Sequence, residues 1–163
     1  MDIQAVKTNY IICEENSLEA INMKYGLGRV FMLRAPQGVD LLEYLTELAE
    51  KEGIRAGLIS VIGSLKDPVI GYFNVDEGRY KEIRLEGFYE LAHGSGNISL
   101  KEDKPFVHLH VVLGDKEGKA HAGHLLRGEV YVAEIIIIEI TGEKLPIRKL
   151  LDNLWLWDVY QIV

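Results

Sequence analysis

Apolar positions along the chain fall into two rhythms. Leu41, Leu42, Leu45, Leu48 and Ala49 recur at intervals of three and four, which predicts one amphipathic helix over about residues 40–52. Asp40 precedes it and Glu43 follows three residues later, an Asp-x-x-Glu capping box, and Gly53 supplies a stop. Elsewhere the apolar runs are short and broken by turn residues. Val30–Leu33 reads as a strand ending at Ala35-Pro36, and Gly57–Ile62 as one ending at Gly63-Ser64. Val69–Val75 precedes the turn Asp76-Glu77-Gly78, and Arg79–Leu85, Tyr89–Leu100, Phe106–Leu113 and Glu129–Ile140 follow. Successive strands with short turns predict an α+β fold, a largely antiparallel β-sheet with one main flanking helix.

Two of these strands are apolar on both faces. In Glu129–Ile140, Val130, Val132, Ile136, Ile138 and Ile140 share one face, while Ala133, Ile135 and Ile137 share the other. In Phe106–Leu113, Val107, Leu109 and Val111 oppose Phe106 and Val112. A single helix cannot cover that much surface. A partner subunit is the simplest cover.

The same strand carries the concentrated chemistry. Side chains alternate along a strand, so His108 and His110 point to one face about 6.5 Å apart and can converge on one point. His124 follows the turn Gly114–Gly118, in His121-Ala122-Gly123-His124. Three neutral imidazoles with an open fourth position suit Zn²⁺, and also Fe, Ni or Cu. A lone strand histidine is more often a surface or hydrogen-bonded residue, but two on a buried strand need partners. His121 is expected to face solvent, and His93 to reach the cluster only through the fold. Glu134, on an otherwise apolar face, is the candidate catalytic carboxylate: a general base, a fourth ligand or a partner orienting a histidine. Against that stands an ion pair with Arg127, Lys119 or another basic group.

Composition narrows the classes. With 163 residues, 48% hydrophobic and 26% charged, the chain reads as a single globular domain rather than a disordered tail. The longest apolar stretch, Ile135–Ile138, is far short of a membrane span. The Met1-Asp2 start does not resemble a secretion signal and Cys13 is alone, so a cytoplasmic location is expected. The formal net charge of −7, without a basic stripe, disfavours direct nucleic-acid binding. No phosphate loop, dinucleotide fingerprint or Ser-His-Asp order is present, and Gly26-x-Gly28 reads as a turn.

Lys104-Pro105-Phe106-Val107-His108-Leu109-His110-Val111-Val112-Leu113-Gly114-Asp115, followed by Gly118 and by Gly123-His124-Leu125-Leu126-Arg127-Gly128, closely resembles the plants and prokaryotes conserved domain (PPC, also called DUF296). Arg29–Arg34 with Gly38-Val39-Asp40-Leu41, Gly57–Gly63, Glu86-Gly87-Phe88-Tyr89-Glu90-Leu91 and Gly96-Asn97-Ile98 fit the same order, over about residues 28–140. Ala122 departs from a glycine often found there, and segment 86–91 is altered, which weakens any inference to plant-type partners. The resemblance implies an antiparallel sheet with a flanking helix, a homotrimer, and in some prokaryotic members a metal-capable cluster matching His108, His110 and His124. The Arg-Gly-Arg hook that accompanies the domain in plant DNA-binding proteins is absent. Residues 1–27 and 141–163 lie outside the resemblance, with Trp155 and Trp157 in an apolar tail that would cap the core or an interface.

Three functions follow as expectations. The first is a homotrimeric, metal-capable binding or regulatory domain, associated with DNA only through partners. The second is a metal-dependent hydrolase-type enzyme using the three-histidine site with Glu134 as base. The third is direct DNA binding, against which the charge stands.

Overall fold

A computed structural model describes residues 25–151 and 153–158. Cys13 lies outside them. The predicted helix is α1, Leu41–Glu52, and Asp40 and Gly53 close its two ends as expected. Asp40 accepts from the backbone N–H groups of Leu42 and Glu43 at 2.9 and 3.1 Å, satisfying donors that the first turn leaves free. Gly53 takes a left-handed conformation (φ 67°) and turns its N–H back to the carbonyls of Ala49 and Glu50. Leu41, Leu45 and Ala49, one residue per turn, are wholly buried against the sheet. The other oxygen of Asp40 accepts from Gly128 N–H at 2.8 Å, so one carboxylate both caps the helix and ties it to the sheet.

Most strands are longer than the apolar runs that announced them, and two were not announced: β1 Gly26–Arg34, β2 Gly57–Asn74, β3 Arg79–Arg84, β4 Phe88–Lys101, β5 Lys104–Gly114, β6 Ala120–Thr141, and the unannounced β7 Arg148–Leu151 and β8 Leu154–Trp157. Gly26 and Gly28 begin β1 rather than forming a turn; a Cβ at Gly28 would meet Glu139 at 2.9 Å, so β6 approaches closely there. Gly63-Ser64 does not end a strand either. It is an irregularity inside β2, which merges the two runs expected there, and a Cβ on Gly63 would lie 2.0 Å from the Val132 carbonyl oxygen. Likewise 121–124 and 129–140 belong to one continuous strand, β6.

All pairings among β1–β6 are antiparallel, in the order β1-β6-β5-β4-β2-β3, with β6 also paired to β2. The pairings of β2, β4, β5 and β6 therefore close a ring. Its interior is the core, including Leu65, Ile70, Leu91, Leu109, Leu113 and Leu125, and α1 packs against β5 and β6. One face assignment changes. A register shift between Ser64↔Val132 and Leu65↔Val130 turns Val130 inward with Ala133, Ile135 and Ile137, whereas strict alternation put it on the opposite face. The outer face of β1, β2 and β6 stays apolar and uncovered in the single chain: Val30 is 60% exposed, Met32 77%, Leu58 51% and Ile62 50%.

The tail forms a second, two-stranded sheet, β7–β8, joined to the end of β4 by a bridge between Leu100 and Ile147. Trp155 packs beneath the ammonium of Lys101, 4.1 Å from the ring centre. Among the described residues no helix is long and apolar enough to cross a membrane.

Candidate metal centre

Alternation on β5 sends Val107, Leu109 and Val111 into the core and His108 and His110 to the outer face. β6 brings the third ring. His110 and His124 are directly paired in the β5–β6 ladder, and a Cβ at Gly123 would meet the Gly71 carbonyl at 2.9 Å, so the backbone approach needs glycine there. The three ring centroids stand 4.9–5.4 Å apart. One ring nitrogen from each residue falls within 4.8 Å of the others, and Nε2 of His108 and Nε2 of His110 are 3.1 Å apart. His124 Nδ1 is buried with no hydrogen-bond partner. A buried nitrogen without a partner is costly, and a ligand is one way to satisfy it.

Electrostatics keep two of these rings neutral. Burial, then the neighbouring His124, Arg148 and His110, push His108 down to about 4; burial, then His110 and Arg148, push His124 down to about 4. Neutral imidazole is the form that coordinates a metal. Three converging imidazoles, one of them with an orphaned ring nitrogen, therefore fit a transition-metal ion.

Two residues that the sequence did not single out complete the surroundings. Tyr80, on β3, stacks on the His124 ring at 5.0 Å and an interplanar angle of 30°. Arg148, on β7, places Nη2 3.3 Å from His108 Nδ1. Nothing in the local sequence marks Arg148, because its approach depends on how the β7–β8 hairpin docks.

The remaining candidates lie elsewhere. His121 is half-buried rather than solvent-facing, with Nε2 3.2 Å from an Asp115 carboxylate oxygen and its ring edge-on to Tyr89. His93 is exposed on β4, opposite Val112 at a register shift, and is not part of the cluster. Glu134 sits ten residues along β6 from His124, about 33 Å at the usual strand rise. It stands opposite Arg34 in the ladder, a basic group other than Arg127 and Lys119, and lines a shallow outer hollow with Met32, Ser60, Ile62 and Ile136. Within one chain it does not join the histidines.

Comparison with known proteins agrees with this architecture. The sequence pattern of the Plants and Prokaryotes Conserved (PCC) domain matches residues 23–141, slightly wider than the expected 28–140. A plant- and prokaryote-conserved protein from Pyrococcus horikoshii is 47% identical, with a TM-score of 0.82 over 85% of this chain and 96% of that one. A metal-containing protein from Archaeoglobus fulgidus is 36% identical, with a TM-score of 0.78 over 82% of this chain and 96% of that one. A putative DNA-binding protein from Bacteroides thetaiotaomicron shares the fold, at 23% identity and a TM-score of 0.74, covering 83% and 98%. Among curated proteins, the bifunctional protein GlmU of a Synechococcus strain is 31% identical over 114 residues; these are 68% of this chain but only 17% of that protein's length.

Proposed function

The chain belongs to the Plants and Prokaryotes Conserved domain family, and from that premise we propose that it is a metal-binding module acting as a homotrimer. His108, His110 and His124 hold one divalent transition metal. Zinc suits the donor set best, since three imidazoles with a free position are among its common sites; iron and nickel accept the same donors. When bound, such an ion supplies Lewis acidity and a position for an exchangeable ligand. The observation that carries the reading is the convergence of three ring nitrogens within 4.8 Å, with His124 Nδ1 buried and unpartnered. The metal-containing relative from Archaeoglobus fulgidus supports it.

A binding or regulatory role is favoured over hydrolysis because, among the described residues, the cluster is three imidazoles with no carboxylate joined to it, and Glu134 lies ten residues along β6 from His124. Self-association rests on the apolar outer face of β1, β2 and β6, which a monomer would rarely leave open, and the count of three rests on the family resemblance.

The test is metal content of protein purified without a histidine tag, then zinc affinity after chelation. One ion per chain is expected. Single replacement of His108, His110 or His124 by Ala should weaken binding by at least about tenfold, because two imidazoles and water are a poor trap. His121→Ala should leave affinity unchanged. A native protein that binds no divalent ion at neutral pH would overturn the metal reading.

A further inference from the structure

A metal-bound histidine usually donates its outer ring N–H to a carboxylate or carbonyl, which makes it a more basic ligand. At His108 that place is held by the opposite kind of group. The Arg148 guanidinium, which has no acceptor atom, turns Nη2 toward Nδ1 at 3.3 Å. A neutral His108 that binds a metal through Nε2 keeps its proton on Nδ1 and offers no acceptor there, so the guanidinium, held by its other bonds, simply adds a positive charge beside any metal bound by the cluster.

Among the described residues that charge has no anionic partner in its hydrogen bonds. Arg148 is 5% exposed, and its other bonds run to neutral acceptors: Ser99 Oγ at 2.7 Å, the Trp155 carbonyl at 2.6 Å and Asn97 Oδ1 at 2.8 Å. The Phe106 ring, 4.9 Å from the guanidinium carbon, is neutral too. A buried cation is ordinarily compensated by a carboxylate. Here Arg148 stands against His108 of the cluster, and a divalent ion would raise the local charge to about +3. The cluster opens to solvent on the side of His110, which is exposed, so a small solute can reach it there.

We propose that the centre is an anion site: a small oxyanion of the carboxylate or phosphate class binds together with the metal, and Arg148 is the residue that makes it bind tightly. This rests on the metal reading above and extends it to the class of ligand. It also gives the C-terminal hairpin a role, since β7 supplies the charge and lies beyond the family-matched residues 23–141.

The experiment uses full-length protein loaded with Co²⁺, whose visible bands respond to a change of ligand. Sodium acetate and inorganic phosphate are titrated separately at constant ionic strength. At least one should shift the bands saturably, and the tighter of the two identifies the ligand class. Arg148→Met should still bind Co²⁺ but hold that anion about tenfold more weakly. Arg148→Gln, also neutral but able to hydrogen-bond, replaces it should the Met variant lose the native circular dichroism spectrum. Arg148→Lys should regain part of the affinity, which a purely structural role would not predict. A Co²⁺ spectrum that neither anion alters, or that shifts with the same affinity in the neutral variants, overturns the proposal and leaves the metal reading standing. Absence of any Co²⁺ spectrum in the wild-type protein overturns both.

Discussion

Two ring nitrogens 3.1 Å apart, on His108 and His110, cannot both carry a proton. His108 and His124 are held down to about 4, first by burial and then by neighbouring positive charge. Unfolding returns both to about 6.5, so between those values the unfolded chain binds more protons than the folded one. Stability from this pair is therefore fully present above about pH 6.5 and is lost as pH falls toward 4. The urea midpoint of metal-free protein should drop steadily over that window, and His108→Gln should flatten the slope. A midpoint independent of pH there would contradict the assignment. His-x-His on an alternating strand was visible in the sequence, because period two fixes which side chains share a face. Arg148 was not, because a residue more than twenty positions from His124 is brought to His108 only by the docking of a hairpin.

At the scale of elements, the cluster depends on close strand approach. Gly96 faces Leu109 in the β4–β5 ladder, and a Cβ on it would fall 2.0 Å from the His108 carbonyl oxygen and 2.9 Å from Leu109 Cα. Both obstacles are backbone, so the strands themselves must part. Gly96→Ala is expected to destabilise the protein by about 2–4 kcal/mol and to weaken metal binding, since it moves the strand that carries two ligands. Thermal unfolding with and without zinc checks this; a variant of wild-type stability would show that the strands yield easily. The helix was fully legible, since Asp40, the four-residue rhythm and Gly53 are local signals. The strand ends were less so. Irregularities at Gly63 and near Tyr131 allow β2 and β6 to run through positions that read as breaks.

For the molecule as a whole, the outer face of β1, β2 and β6 decides the expectation. Val30, Met32, Leu58 and Ile62 remain at least half exposed on one chain, and such a surface asks for another copy. Light scattering at micromolar concentration should give three times the 18.4 kDa chain mass. Met32→Asp combined with Ile62→Asp should shift the population toward monomer, and a wild-type monomer would defeat the trimer reading. With −7 per chain, duplex DNA should bind no more tightly than the micromolar range at physiological salt. Sub-micromolar binding with a steep salt slope would reverse that view.

By itself the sequence determined the features that depend on short-range periodicity: one capped helix, a run of antiparallel strands, two histidines on one strand face and an apolar excess that a single layer cannot bury. It also carried the family resemblance, because the His-x-His and Gly-His-Leu-Leu-x-Gly segments keep fixed chemistry at fixed spacing. Tertiary structure alone decided which distant groups meet. The β5–β6 ladder set His124 opposite His110, β3 laid Tyr80 on His124, and the tail hairpin delivered Arg148 to His108. It likewise separated Glu134 from the cluster by the length of half a strand, and turned Val130 inward through one register shift. Such outcomes depend on strand register and on which edges pair, and both are fixed by packing summed over the whole sheet rather than by any local run of residues.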